Sequence, residues 1–213
     1  MYLFIQELQD NPRYFFAVFV TVVVSICVHE LCHGITAVWC GDRTPIESGH
    51  MTVNPVVHMG LMSFILLLVA GIAWGSMPVD PRRMRGRYDP ALVAVAGPLS
   101  NVLMAAIALT ALAFNLPRSA DEQTSLQFLL GVFGTVNIEL AIFNLVPIPP
   151  LDGSRVLANL SQDYARLMSH LYRSGGTGFI FLLVFMFAGY LIFPAAGHAA
   201  AWYVHLIAGQ GGR

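Results

Sequence analysis

The chain has 213 residues, of which 56% are hydrophobic and 11% are charged, and its formal net charge is -1. Soluble domains carry about 25% charged residues, so this composition excludes a soluble globule and a disordered chain. The charge balance supplies no basic face for phosphate, and we expect no nucleic-acid partner. The lipid bilayer is therefore the expected main solvent of the fold.

Long apolar segments alternate with short polar breaks along the chain. They cover residues 15–40, 61–79, 91–116, 126–146 and 179–193. Segments 91–116 and 126–146 are the clearest membrane helices, because each is long enough to cross the hydrocarbon core. Segment 61–79 is shorter and carries two glycines, and Pro194 is expected to end the last span.

The polar breaks predict three further features. Residues 46–53 are typical of a short strand or hairpin, and Arg118, Asp121 and Glu122 mark a polar loop. Apolar residues recur at helical spacing over 154–172, which indicates a helix on the membrane surface. The predicted fold is an all-α polytopic membrane protein with about four to six membrane helices and a short membrane-associated β-hairpin after the first.

The first apolar segment contains the motif His29-Glu30-Leu31-Cys32-His33. Histidines at positions i and i+4 share one helix face, so both imidazoles can reach one zinc ion. Glu30 is placed to take a proton from a zinc-bound water. Each ionisable group in an apolar span costs on the order of 2–3 kcal/mol unless it is partnered, which favours a metal site over accidental packing.

A catalytic zinc ion takes three protein ligands and keeps a fourth position for water. The candidates for the third ligand at membrane depth are His58, Glu139, Asp152, His198 and His205. Asp152 follows prolines at 147, 149 and 150, which break the preceding helix and leave the chain free to aim a carboxylate inward. The alternative role of Asp152 is to cap the helix that begins near Ser154.

Three motifs in this order resemble the site-2 protease family of intramembrane zinc metalloproteases, over roughly residues 20–160. They are His29-Glu-Leu-Cys-His33, Ala96-Gly-Pro-Leu-Ser-Asn101 and Asn144-x-x-Pro-x-Pro-x-Leu-Asp-Gly153. Residues 74–81, Trp-Gly-Ser-Met-Pro-Val-Asp-Pro, resemble the compact bacterial branch without PDZ or CBS domains. Residues 54–58 resemble a further motif of that branch, but the acidic residue that commonly follows it is missing here.

The resemblance implies a role for each motif residue. It implies that His29, His33 and Asp152 are the ligands of one zinc ion per chain and that Glu30 is the catalytic acid and base. Asn144 is implied to hold the substrate or the developing oxyanion near the metal. Glycine 97 and asparagine 101 match the helix-packing motif of the family.

We expect one integral-membrane metalloprotease domain over residues 1–213. Its catalytic core covers about 14–160, and 154–213 adds the surface helix and the last membrane helix. The resemblance implies a membrane-associated β-hairpin near residues 46–53, whose edge is a candidate for pairing with an extended substrate. We expect contact with the lipid bilayer, and a separate protein is a candidate regulatory partner.

A shared zinc ion constrains the topology. His33 lies near the end of the first helix and Asp152 just after the helix over 126–146, so the two helices run parallel and 61–79 is the segment expected not to cross. Arginines within short loops mark the cytoplasmic face of a membrane. Those on the zinc side are Arg43, Arg82, Arg83, Arg85, Arg87, Arg155, Arg166 and Arg173, against Arg13 and Arg118. The end of the protein that carries the zinc site is thus predicted to face the cytoplasm. The expected location is a bacterial inner membrane.

The predicted activity is zinc-dependent hydrolysis of peptide bonds in transmembrane or membrane-anchored substrates. The alternatives are a metal-ion transporter and a catalytically silent relative that binds a membrane partner. A transporter often shows an internal repeat, which this sequence lacks. An intact Glu30 argues against the silent relative, because a binding protein needs no proton acceptor at that position.

Overall fold

A computed structural model describes residues 3–115, 124–173 and 176–210. Its helices are α1 (Glu7–Asp10), α2 (Pro12–Trp39), α3 (Thr44–Glu47), α4 (Pro55–Ala70), α5 (Asp89–Phe114), α6 (Ser125–Leu145), α7 (Asp152–Leu160), α8 (Gln162–Arg173) and α9 (Gly176–Gln210). Short 3₁₀ turns occupy Phe4–Gln6 and Pro81–Arg83. The predicted polar loop at Arg118, Asp121 and Glu122 lies outside the described residues.

Within the described residues, 4 helices are long and apolar enough to cross a membrane. They are α2, α5, α6 and the part of α9 from Tyr190 to Gly209. The start of α2 shows why the helix begins there: Asn11 Oδ1 accepts a hydrogen bond from the Tyr14 N–H at 3.2 Å, and Pro12 occupies the first turn. The predicted helical membrane fold is confirmed.

Helix α5 is at the centre of the bundle and packs against α2, α6, α7 and α9. One apolar core joins α2, α4 and α6 through Val22, Ile26, Met59, Leu67 and Val136. A second core joins α5 and α9 through Leu109, Ala113, Ala200 and Val204. This packing holds the three helices that carry the motifs against one another.

The segment that follows α3 begins with helix α4 and continues as extended chain. Helix α4 has only 16 residues, is kinked at Gly60 and ends at Gly71, whose φ of 72° is left-handed. Glycine adopts this conformation without the steric cost that a Cβ brings. From Gly71 to Asp80 the chain forms neither helix nor strand, and the 3₁₀ turn begins at Pro81.

The extended chain runs back along α4. Ser63 Oγ donates a hydrogen bond to the Trp74 carbonyl at 2.8 Å and accepts one from the Trp74 N–H at 2.9 Å. The Ser76 N–H donates to the His58 carbonyl at 3.0 Å, one and a half turns nearer the start of α4. Segment 61–79 therefore returns along its own path, as the parallel arrangement of the first and third spans requires.

Contacts between the loops on either side of segment 61–79 hold the two ends of that segment close together. Asp42 Oδ2 accepts a hydrogen bond from the Asp80 N–H at 2.6 Å, and Arg83 pairs with Glu47 at 2.5 Å. Asp42 also accepts from the Thr44 N–H and hydroxyl. Burial raises the pKa of Asp42, but these hydrogen bonds outweigh it and hold that pKa below its usual range. The loops after α2 and before α5 thus lie at one level of the molecule.

The predicted β-hairpin over residues 46–53 is wrong, because the structure contains no strand among the residues that it describes. Helix α3 forms there instead, with Pro45 in its first turn, and a turn follows at Gly49 with a φ of 72°. The hydrogen bonds from Thr44 to Asp42 offer the backbone a local alternative to a strand ladder. The residue pattern of so short a segment does not reveal the competition between local hydrogen bonds and a strand ladder.

Two predicted boundaries in the C-terminal part are also wrong. The surface helix over 154–172 is two helices, because Ser161 adopts an extended conformation between α7 and α8. Pro194 does not end the last span, since α9 continues through it to Gln210. Proline is tolerated within membrane helices, where neighbouring groups and local adjustments satisfy the freed carbonyl.

Candidate metal centre

Three potential ligand atoms converge where the end of α2 meets the start of α7. His29 Nε2 lies 3.0 Å from His33 Nε2 and 3.0 Å from Asp152 Oδ2. His33 Nε2 lies 3.2 Å from the same carboxylate oxygen. All three side chains are buried, and together they form a group that could hold a metal ion. The structure thus brings together the two histidines of the motif and one of the five candidates for the third ligand.

Glycine 97 of α5 lets this cluster form. A Cβ atom at that position would overlap the Nε2 atoms of both His29 and His33. The close approach of α5 to α2 therefore depends on the missing side chain, so Gly97 serves the cluster as well as the packing of the two helices.

Asp152 reaches the cluster because helix α6 ends early and the chain turns sharply. Helix α6 stops at Leu145, two residues before Pro147, and Pro149 and Pro150 follow shortly after. A Cβ at Gly153 would overlap the Leu145 carbonyl, so the turn needs a glycine there. The residue at the N-cap of α7 is Leu151, and the Asp152 side chain faces the histidines rather than capping the helix.

Each imidazole also makes a hydrogen bond through Nδ1, the ring nitrogen that points away from the cluster. These hydrogen bonds show whether the Nε2 atoms are suited to bind a metal ion. His33 Nδ1 lies 2.6 Å from the Val93 carbonyl, and His29 Nδ1 lies 2.6 Å from Asn101 Oδ1. Oxygen acceptors at Nδ1 place the proton there, which leaves a lone pair on each Nε2 atom. Two lone pairs and a carboxylate oxygen then face one another, an arrangement that a cation stabilises and that matches a catalytic zinc site.

Two cavities flank the cluster, with volumes of about 130 Å³ and about 110 Å³. His29, Glu30 and Asn144 line both of them. The extended chain after α4 lies over Glu30, because a Cβ at Gly75 would come within 2.5 Å of the Glu30 Oε1 atom. Glu30 is buried beside a potential metal ligand and still borders open space, as a proton acceptor for a small reactant must.

Asn144 lies near the end of α6 with part of its amide free for other contacts. Its Nδ2 donates one hydrogen bond to the Leu140 carbonyl at 3.0 Å, one helical turn earlier. An amide nitrogen carries two hydrogens, so this bond uses only one of them, and Asn144 lines both cavities. The position supports a contact between Asn144 and a reactant in either cavity.

The other candidate ligands lie elsewhere. His58 is buried, and its Nε2 donates to the Thr52 carbonyl at 2.6 Å. Glu139 lines a separate cavity with Tyr14 and Phe128. His198 and His205 are exposed on α9. Among the described residues, the metal cluster consists of His29, His33 and Asp152.

Sequence reasoning missed two parts of the site. The Val93 carbonyl orients His33, but a backbone acceptor leaves no signal in residue type. Gly75 lets the extended chain approach Glu30, and its signal is a glycine in a segment too short and irregular for a span. Both become evident only when the helices are packed.

The fold and the cluster define a helical membrane protein with a buried site of two histidines and one carboxylate, the ligand set of a catalytic zinc ion. The family model described as Peptidase family M50 matches residues 116–188, which include Asn144 and Asp152. No solved structure matches the chain.

Curated relatives extend over most of the chain. It is 34% identical over 182 residues to "Putative zinc metalloprotease YwhC" of Bacillus subtilis, covering 82% of this chain and 83% of the relative. It is 29% identical over 211 residues to "Putative zinc metalloprotease Rip2" of Mycolicibacterium smegmatis, covering 92% and 75%. The chain belongs to peptidase family M50, the site-2 protease family of membrane zinc metalloproteases.

Proposed function

We propose that His29, His33 and Asp152 hold one zinc ion and that Glu30 is the acid and base of intramembrane peptide-bond hydrolysis. The observation that carries the proposal is the convergence of the two Nε2 atoms and the Asp152 carboxylate within 3.2 Å of one another. Glu30 borders the same two cavities as His29. The names of the relatives, which describe zinc metalloproteases, support the same activity.

The roles of the chain's own groups follow from their positions. Zinc, when bound, supplies a Lewis acid that activates water and polarises a carbonyl oxygen. Glu30 accepts the proton that the attacking water gives up, and later passes it to the nitrogen of the leaving amine. The second Nδ2 hydrogen of Asn144 donates to the carbonyl oxygen of the scissile bond, where negative charge develops.

We infer that the substrates are transmembrane or membrane-anchored proteins that reach the site in an extended form. A helical substrate has its carbonyl oxygens engaged in its own hydrogen bonds, so it must unwind before Glu30 and Asn144 can act on one of them. Residues 1–213 act as one domain, with the core over about 14–160 carrying the site. A separate partner protein is a candidate regulator.

We propose that the protein resides in a bacterial inner membrane and that its site opens toward the cytoplasm. The loops that carry Arg43 and Arg83, and the first turn of α7 with Arg155, lie at the end of the bundle where α2 ends and α7 begins. Arginine-rich short loops stay in the cytoplasm. The pairing of Arg83 with Glu47 supports one common level for the two loops.

The test replaces Glu30 by Gln and measures cleavage of a co-expressed membrane-anchored substrate together with zinc content. Loss of the proton acceptor is expected to lower turnover by about 100-fold or more while zinc is retained. Glu139→Gln is the matched control, because it removes a carboxylate from α6 that lines a different cavity. Cleavage at the parent rate by the Glu30→Gln protein would contradict the assignment of Glu30. A transporter or a silent relative predicts instead that neither the parent nor the Glu30→Gln protein cleaves the substrate.

A further inference from the structure

A chain of buried amides leads from the metal cluster into the middle of α6. Asn137 Nδ2 donates to the Phe133 carbonyl at 2.9 Å, and Asn101 Nδ2 donates to Asn137 Oδ1 at 2.9 Å. Asn101 Oδ1 then lies 2.6 Å from His29 Nδ1. Both asparagines have 0% exposed surface, so water does not substitute for any of these contacts.

The chain has a fixed direction. A backbone carbonyl can only accept a hydrogen bond, so Phe133 compels Asn137 to point its amide nitrogen toward it and its oxygen toward Asn101. The oxygen of Asn137 in turn compels Asn101 to point its own nitrogen that way. Only the oxygen of Asn101 is then left to face His29 Nδ1, which must carry the proton.

We propose that Asn137 is a positioning residue that acts through Asn101 to keep His29 in the tautomer with a free Nε2 lone pair. This inference rests on the proposed zinc site. Asn137 touches neither the ligand atoms nor the two cavities beside them. Its effect on the metal is therefore exerted through the orientation of one amide group.

His33 does not need such a relay. Its Nδ1 faces the Val93 carbonyl directly, and a backbone group has no alternative orientation. Of the two histidines, His29 is the ligand whose tautomer depends on side chains that can rotate. A defect caused by loss of Asn137 is thus expected to appear at His29 and to leave His33 unchanged.

Removal of Asn137 allows the neighbouring amide to turn over. Without the acceptor at Asn137 Oδ1, nothing holds the Asn101 nitrogen away from His29, and the amide can present that nitrogen to His29 instead of its oxygen. The proton of His29 then moves to Nε2, which lies 3.0 Å from Asp152 Oδ2 and accepts no metal while protonated. Loss of an outer hydrogen-bond partner of a metal-bound histidine typically weakens metal binding by about 10–100-fold.

The first experiment compares zinc affinity by chelator competition in the parent protein and in Asn137→Leu. We expect zinc binding to weaken by about 10-fold or more. Val136→Ala is the matched control, because it removes packing from the adjacent buried position of α6 without touching the amides. Equal zinc affinity of the parent and Asn137→Leu proteins would overturn the proposal.

A second background separates positioning from packing. In Asn101→Asp, a carboxylate accepts from His29 Nδ1 in either orientation, so the direction of the amide no longer matters. Adding Asn137→Leu to this background should not weaken zinc binding, because the Asn137 oxygen has no donor to accept from once residue 101 is a carboxylate. A loss as large as in the parent background would mean that Asn137 only fills space.

The hydrogen bond at His29 Nδ1 is measurable with zinc bound. Proton and nitrogen-15 chemical shifts of the His29 Nδ1–H group should differ between the parent and Asn137→Leu, because the amide that accepts from it loses its own partner, while those of His33 stay unchanged. An unchanged His29 spectrum in Asn137→Leu would overturn the proposal. Failure of the parent protein to bind zinc would instead overturn the proposed metal site, so the two failures are distinct.

Discussion

His29 Nε2 lies 3.0 Å from Asp152 Oδ2, although the two residues are 123 positions apart in the chain. One belongs to the last turns of α2, and the other follows the break after α6. Their contact places the ends of two spans at the same depth on the same side of the bundle. It also makes the cluster dependent on every element that sets the spacing of α2, α5 and α6.

Gly97 sets the spacing between α5 and the two histidines of α2, and the site is expected to be most sensitive to substitution there. Replacing Gly97 by Ala puts a methyl group where the Nε2 atoms of His29 and His33 now lie, so zinc content should fall by at least about tenfold. The measurement is metal analysis of the purified protein. Gly131→Ala on α6 is the control, because its new Cβ meets only Leu112 at 3.7 Å and should leave zinc content unchanged. Full zinc content in Gly97→Ala would show that α5 can move away without loss of the site.

Asn144→Ala is expected to separate turnover from metal binding. The side chain borders both cavities but lies outside the three-atom cluster. Loss of one donor to a developing oxyanion typically lowers kcat by about 100-fold or more. Turnover should therefore fall while zinc content stays near the parent value. If turnover is unchanged, the Asn144 side chain serves only its hydrogen bond to Leu140.

Residue spacing alone identifies the two histidines of the cluster and leaves its third member and its surroundings open. His29 and His33 share a helix face by spacing alone, and the prolines before Asp152 identify an irregular segment at membrane depth. The choice of Asp152 over Glu139 or His58 needed the family resemblance, because spacing cannot show which distant residue reaches the histidines. The amide chain through Asn137 was out of reach for the same reason.

The errors have a common physical origin. The hairpin over 46–53 was inferred from residue type, but the contacts of Asp42 with Thr44 and Asp80 fold that region as turns around α3. Pro194 was expected to end a span, but α9 continues through it. In both places contacts beyond the local sequence decided the backbone conformation.

The hydrogen bonds of Asp42 predict an acid-dependent loss of stability. Its pKa is lower in the folded state than in the unfolded chain, so its contribution is complete above the unfolded value of about 4 and is lost as the pH falls through the folded value. Thermal unfolding in detergent should show a Tm for Asp42→Asn below that of the parent at neutral pH, with the difference shrinking below about pH 4. Asp163→Asn, at an exposed position of α8, is the control. A difference that stays constant with pH would contradict this account.

The returning segment predicts a labelling pattern in intact cells or oriented vesicles. Single cysteines at Ser48 and Arg83, in a background without Cys27, Cys32 and Cys40, should react with an impermeant reagent from the same side, because the two loops are joined by the Arg83 pair with Glu47. A cysteine at Ser125, at the start of α6, should react from the opposite side. Labelling of Ser48 and Arg83 from opposite sides would mean that segment 61–79 crosses the membrane.

Zinc content of the Asp152→Ala protein tests the central claim most directly. The carboxylate of Asp152 is the proposed ligand that joins α7 to the two histidines, so its removal is expected to leave a pair that binds zinc weakly. The parent protein and the Asp163→Ala control should each carry about one zinc ion per chain, and Asp152→Ala less than about one tenth of that. Full zinc occupancy in purified Asp152→Ala would remove Asp152 from the site and contradict the account.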